Sequence, residues 1–307
     1  MKILITGAAG FVGTHLINEL VENGHTVVAA VNHGEKPSSL CSEVMYADLS
    51  DKDQVLKNID FSEIKTIIHL AGLAAVGPSF DEPLKYLAVN AGIEINLYEA
   101  CIAQNVRPRM LIISSGTLYD SESSMPLTED SPLSPSSPYA VSKVTQEVFV
   151  QYYKNRGFES VVVRPFNHIG PGQNLGFIVP DFVQQIVVAE RGGKKEILVG
   201  NLDAKRDYTD VRDIVRAYRL LAEAKDVANE TYNVCSGNSV SCQELLDTLL
   251  SMSKVQLTVK QDQEKMRPAD IVEIVGSHSK ITSKTGWKPT FTLEHSLQDA
   301  LKDWRSR

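Results

Sequence analysis

The chain has 307 residues, 43% hydrophobic and 22% charged, enough apolar content for one large α/β domain or two modest ones and too much for wholesale disorder. Lys and Arg total 31 against 38 Asp and Glu, and the net charge of −7 argues against a dedicated binder of nucleic acid or of an anionic membrane. Cys41, Cys101, Cys235 and Cys242 are dispersed and fall in no metal-ligand spacing, and no signal-like or membrane-length apolar run occurs, so free thiols, no metal and a cytoplasmic location are expected.

Residues 2–6 form a continuous apolar strand, and Phe11, Val12, Leu16, Leu20 and Val21 follow at helical spacing up to Asn23-Gly24. Strands are expected over 26–31, 44–46, 66–70, 110–114 and 160–164. Helices over 51–59, 83–104 and 139–156 alternate with them. Apolar strands without period-two alternation are buried on both faces, so the fold class is α/β, a Rossmann-type doubly wound parallel sheet. The pattern changes after Pro165. Gly170-Pro171-Gly172-Gln173 and Gly176 mark a long loop, then come a strand at 196–199, a helix at 211–224, a strand at 232–234 and a helix at 293–304. The expected division places 1–166 and about 206–237 in a dinucleotide-binding domain, with about 167–205 and 238–307 in a smaller mixed lobe that takes the substrate. The proline- and serine-rich stretch 126–138 reads as an ordered connection, because a chemically loaded helix follows it.

Three motifs carry chemistry. Gly7-Ala8-Ala9-Gly10-Phe11-Val12-Gly13 lies between the first strand and the first helix, where glycines allow a tight turn and bring backbone N–H groups against a pyrophosphate. The second strand ends in Val31-Asn32-His33-Gly34, without the acid that binds an adenosine ribose and repels a 2′-phosphate. His33 and Lys36 stand nearby, so NADPH is favoured slightly over NADH. Tyr139 and Lys143 are four apart on a helix and share a face, so the ammonium is expected to lower the phenol's pKa for proton transfer. Ser114-Ser115 ends the preceding strand, at the edge where α/β sheets bind ligands, and Ser115 can donate to a carbonyl oxygen.

On these motifs the chain resembles, over its full length, the extended short-chain dehydrogenase/reductase family of nucleotide-sugar epimerases, dehydratases and reductases. His69-Leu70-Ala71-Gly72, Asn90 and Asp48-Leu49 match further family positions, the last pair at the adenine. The segment from Arg164 to Gln173, that from Arg206 to Asp213, and Met266-Arg267-Pro268-Ala269-Asp270 are similar to the GDP-mannose branch. The resemblance implies cofactor contacts from Gly7, Gly10, Phe11, Val12, Gly13, Asn32, Asp48, Leu49, Leu70, Ala71, Gly72, Asn90, Tyr139 and Lys143. It implies substrate contacts from Ser115, Thr117, Asn167, Arg206 and Arg267, the arginines at the diphosphate of a nucleotide sugar, with a GDP-sugar favoured. It also implies a homodimer built on helices 83–104 and 139–156. His69 and His168 are expected to be structural, Arg164 to brace the loop after its strand, and Phe149, Tyr152 and Tyr153 to serve packing or the dimer surface.

Three reactions compete within that family. Dehydratases resemble one another in carrying a Glu where this chain has Thr117, and a hydroxyl is too weak a base to replace it. Epimerisation at C4 needs only hydride removal and return, and suits a tightly anchored NAD. The acid-free end of the second strand fits a cofactor that exchanges at every turnover. The resemblance then implies reduction of the 4-keto group of GDP-4-keto-6-deoxy-D-mannose to GDP-D-rhamnose. A non-catalytic dinucleotide sensor is the reading from another class, and it leaves the Ser115, Tyr139 and Lys143 set without a purpose.

Overall fold

The computed structural model describes residues 1–265 and 273–307, so Arg267 lies outside the described residues. Through the first half, strand and helix alternate: β1 (Lys2–Thr6), α1 (Phe11–Glu22), β2 (Thr26–Val31), β3 (Glu43–Tyr46), α2 (Lys52–Asn58), β4 (Thr66–His69), the one-turn α3 (Val76–Ser79), α4 (Pro83–Ala103), β5 (Arg109–Ile113), α5 (Pro138–Lys154) and β6 (Ser160–Pro165). The second half contains β7 (Asn167–Ile169), α6 (Ile178–Glu190), β8 (Glu196–Val199), β9 (Lys205–Asp210), α7 (Val211–Glu223), β10 (Thr231–Val234), β11 (Ser239–Ser241), α8 (Cys242–Ser251), β12 (Thr258–Gln261), β13 (Glu273–Ile274), α9 (Ser279–Thr285) and α10 (Leu293–Ser306). Among the described residues, seven strands pair in the order β10-β6-β5-β4-β1-β2-β3, each pair parallel. This is the doubly wound sheet that the sequence predicts.

Both faces of the sheet are dry, which is why its strands read as unbroken apolar runs. On one side Ile3, Ile5, Val27, Ala29 and Val163 pack with Leu16 and Leu20 of α1 and Ile214, Tyr218 and Leu221 of α7. On the other, Leu4, Val28, Ile67, Met110 and Ile112 pack with Val55 of α2, Leu97 and Tyr98 of α4 and Val150 and Tyr153 of α5. Tyr98 and Tyr153 stack with centroids 4.1 Å apart, so α4 and α5 meet through rings, and Tyr153 belongs to the core while Tyr152 is exposed.

A second, smaller sheet is centred on β9, with β11 antiparallel along one side, β13 parallel along the other, and β7 parallel to its second half. Its apolar backing combines Ile169 and Tyr208 with α6, α8 and α10 through Val183, Ile186, Leu245, Leu249, Leu297 and Leu301. Of these elements β7, β9, β11, β13, α6 and α8 are not foreseen from the sequence. β9 is Lys-Arg-Asp-Tyr-Thr-Asp, polar enough to read as a loop, and α6 carries Pro180 in its first turn with no side-chain cap. α8 does have a local signal, the capping box in which Ser241 and Glu244 satisfy each other's backbone N–H groups.

Candidate active site

The glycine loop leaves β1 at Gly7, whose φ of +66° suits only a residue free of Cβ strain. A Cβ there would also stand 2.9 Å from the Ala71 nitrogen, so β1 and the loop after β4 close on one another. At Gly13 a Cβ would meet the Gly7 carbonyl oxygen at 2.5 Å, and only a glycine lets α1 sit this close to the turn. Gly10 caps α1 without any side-chain hydrogen bond, leaving the first N–H groups of the helix open. Open amides at a helix N-terminus, reached across a cradle that a Cβ would fill, fit the pyrophosphate of a dinucleotide. Phe11 and Val12 follow at the start of the helix, and Phe11 stacks on His168 with centroids 6.1 Å apart.

The end of β2 holds a feature missed from the sequence. Asn32 is exposed there, and its backbone N–H donates to the Glu35 carboxylate at 3.0 Å, closing a turn in which Glu35 N–H also donates to Asn32 O. An acid therefore returns in space to the position that lacks one in sequence, with His33 stacked on Tyr46 beside it. At the end of β3, exposed Asp48 accepts from the Ser50 N–H and hydroxyl, and Leu49 is buried in the core.

Leu70, Ala71 and Gly72 form the loop after β4, and Asn90 of α4 holds it. The Asn90 side chain accepts from Leu73 N–H and donates to Leu73 O and to the Ser142 hydroxyl. It is fully buried with these bonds made, so both amide hydrogens are committed and one lone pair of Oδ1 stays open. His69 is buried below the loop with Nδ1 2.8 Å from the Thr6 hydroxyl, and burial drives its pKa down to about 3, so it is neutral and structural.

β5 delivers Ser114 and Ser115 to the same edge of the sheet. A 3₁₀ turn over Gly116–Leu118 follows, which Ser115 caps by accepting from Thr117 N–H; the two hydroxyls lie 2.9 Å apart. α5 starts beneath them with Ser137 as its cap and Pro138 in its first turn, which brings Tyr139 and Lys143 onto the inner face. The Ser115 hydroxyl neighbours the Tyr139 phenol and lowers its pKa, but burial is the larger effect and pushes that pKa up to about 12. The predicted lowering by Lys143 is not what the structure holds. The Lys143 ammonium is 6.0 Å from the Tyr139 ring centroid and donates instead to Ile113 O at 2.8 Å and Gln146 Oε1 at 2.9 Å. Burial lowers the lysine to about 8, against the opposing pull of Glu94 and Glu147.

Arg164 braces α5 and the segment after β5 rather than the loop after its own strand, where the sequence predicts it. Its guanidinium grips Glu147 of α5 through two bonds, 2.9 Å and 2.6 Å, and donates to the Tyr119 hydroxyl, while Ser114 adds a third bond to Glu147. Phe166 lies so close to Gly116 that a Cβ there would stand 2.9 Å from the ring. Asn167 begins β7 just past the end of β6 and is exposed, and its register partner is Tyr208 of β9. Arg206, half-buried, lies two residues from Tyr208 and so on the same face of β9. The acids beside it are engaged elsewhere: Asp207 accepts from Ser236, Gly237 and Gly276 N–H groups, and Asp210 pairs with Arg212. His168 is held by Phe166 O and packs on Phe11, with its pKa lowered by burial. Among the described residues no group of three potential metal ligands converges, and no helix is long and apolar enough to cross a membrane.

Comparison with known proteins agrees with this geometry. A family model described as GDP-mannose 4,6 dehydratase matches residues 4–300. GDP-6-deoxy-D-mannose reductase from Pseudomonas aeruginosa is 36% identical, with 100% of this chain and 98% of that protein covered. GDP-6-deoxy-D-talose 4-dehydrogenase from Aggregatibacter actinomycetemcomitans is 33% identical over 98% of this chain and 97% of its own. The solved structure of RMD from Pseudomonas aeruginosa complexed with NADPH superposes with a TM-score of 0.87 at 32% identity, covering 99% of this chain and 100% of that one. Other similar solved structures hold NAD. The chain therefore belongs to the GDP-mannose 4,6 dehydratase family within the extended short-chain dehydrogenases/reductases, and it is an NAD(P)-dependent oxidoreductase.

Proposed function

We propose that the protein reduces the 4-keto group of GDP-4-keto-6-deoxy-D-mannose to GDP-D-rhamnose. The observation that carries this reading is the strand-end site itself: Ser115 and Tyr139 adjoin one another above Lys143, and Thr117 stands where a dehydratase would need a carboxylate. Bound NAD(P)H supplies the hydride. Ser115 donates a hydrogen bond to the ketone oxygen and fixes its position, and Tyr139 gives that oxygen its proton. Burial raises the phenol's pKa and so favours its protonated form, the form a reduction must start from. Lys143, cationic, steadies the phenolate left behind and engages the nicotinamide ribose. Gly7, Gly10 and Gly13 hold the pyrophosphate of the cofactor, while Asn167, Arg206 and Arg267 take the diphosphate end of the sugar nucleotide. Fixing ketone, hydride donor and proton donor in one site supplies much of the rate as effective molarity.

The similarity to a talose-forming or talose-oxidising relative gives a second reading of the same chemistry, with hydride delivered to the opposite face. Purified protein given GDP-4-keto-6-deoxy-D-mannose with NADPH and then NADH distinguishes them, with absorbance at the reduced nicotinamide band and NMR of the sugar as readouts. Stoichiometric oxidation with GDP-D-rhamnose formed is expected. GDP-6-deoxy-D-talose as product would keep the reductase and reverse its face. No oxidation would overturn the reductase in favour of a nucleotide-sugar epimerase.

A further inference from the structure

Helix α4 carries a carboxyl that the reaction above does not use and that lies within electrostatic reach of the Lys143 ammonium. Glu94 sits on α4 one turn beyond Asn90 and therefore on the same face of the helix. It is 0% exposed, and neither carboxyl oxygen has a hydrogen-bond partner of good geometry. The neighbouring buried positions of α4 include Ala91, Ile93 and Leu97, so an apolar side chain would satisfy the packing. An unpaired acid in such a place is costly unless a charge nearby answers it.

That charge is Lys143. The Gln146 side chain lies between the two helices, with its amide NH₂ on Asn90 O at 3.1 Å and its carbonyl accepting from Lys143 at 2.9 Å. Glu94 lies beside the same amide. Other groups face this pocket, and each is otherwise engaged. Glu147 of α5 is taken by Arg164 and Ser114. Tyr98 of α4 is hydrogen-bonded to Ser160, Tyr153 of α5 donates to Glu99, and His69 of β4 is neutral and bonded to Thr6. Tyr139 of α5 is protonated.

We propose that Glu94 is the buried counter-charge of Lys143, a positioning residue that keeps the lysine cationic and holds it, through Gln146, in its place under the reacting tyrosine. The inference rests on the reductase reading for its activity assay but not for its binding assay. Burial raises the Glu94 pKa well above the usual carboxylate range and lowers that of Lys143 to about 8, and the charge of each opposes the effect of burial on the other. Lys143 is needed protonated, so turnover and cofactor affinity both fall as pH rises through its pKa. Removing the Glu94 charge leaves Glu147 to oppose burial and lowers the pKa further.

Glu94→Gln keeps the shape and removes the charge. The alkaline limb of kcat/KM is expected to move to lower pH by about one unit or more. The pH dependence of NADH affinity, read by fluorescence titration without substrate, is expected to move with it. In Glu94→Gln/Gln146→Glu the carboxylate is transferred to the neighbouring position on α5, and both limbs are expected to return towards the wild type. Limbs that superpose on the wild type in the single variant, or a double variant that folds with its limbs still displaced, would overturn the proposal. A wild type that binds NADH with a normal limb but oxidises none on the keto sugar would sink the reductase reading and leave the binding test of Glu94 standing.

Discussion

At Tyr139 two effects compete for one phenolic proton, and burial prevails over the hydrogen bond from Ser115. The side chain is thereby stored as an acid, ready to donate and unable to act as a resting phenolate. Replacing Tyr139 by Phe keeps the ring packed and removes the proton, and turnover is expected to fall by about a hundredfold or more in a steady-state assay. Near wild-type turnover would take the proton donor away from this position. Glu35 decides a separate question. Its carboxylate accepts from the Asn32 N–H at the end of β2, the strand end at which a ribose 2′-substituent is read in dinucleotide-binding folds, and a negative charge there opposes a phosphate. Glu35→Gln is expected to tighten NADPH several-fold relative to NADH in parallel binding titrations, since only the charge on the phosphate side changes. Equal shifts for the two cofactors would show that Glu35 has no part in the choice.

Among the elements, α5 carries most of the chemistry, and its register follows from its first turn. The Ser137 side chain accepts from Ala140 N–H and Pro138 presets the backbone, so Tyr139, Lys143, Gln146 and Glu147 emerge on the sides that meet β5, β6 and α4. The pair Glu147–Arg164 fixes that helix against β6, with both side chains nearly dry. Glu147→Gln leaves the guanidinium buried without its counter-charge, and a loss of about 3–5 kcal/mol is expected in denaturant unfolding. A loss under about 1 kcal/mol would mean that the ion pair does not anchor α5. The helix itself is legible from the spacing of Tyr139 and Lys143 and from the serine and proline that precede them. What those side chains touch is not. The expectation that the lysine lowers the tyrosine pKa treats the two as an isolated pair, whereas Ile113 O and Gln146, from a strand and a later turn, claim the ammonium first.

For the molecule as a whole, the outer faces of α4 and α5 leave apolar side chains in water: Leu84 is 76% exposed, Val148 62% and Tyr152 47%. Leu87 and Val141 continue the patch, which is unusual on a surface this charged. A homodimer is proposed in which these two helices pair with their copies about a two-fold axis. Val148→Glu is expected to give a monomer in sedimentation velocity, while the wild type sediments as a dimer. A wild type that is monomeric at micromolar concentration would remove the proposal.

The sequence alone determines those features that depend on neighbours in the chain. Unbroken apolar runs mean strands covered on both faces, and glycines at three-residue spacing after the first of them mean a turn that admits a pyrophosphate. A phenol and an ammonium four apart lie on one helical face, and no distant contact is needed to know it. Tertiary structure decides the rest, because it turns on which groups meet in a space of low polarity. β9 is a strand only because β7, β11 and β13 satisfy its backbone. Asn90 is bonded to Leu73 and Ser142, Glu35 folds back to the end of β2, and Glu94 is enclosed beside Lys143 by helices far apart in sequence. Burial and partner choice set charge, and both are fixed by packing between elements that local spacing does not encode.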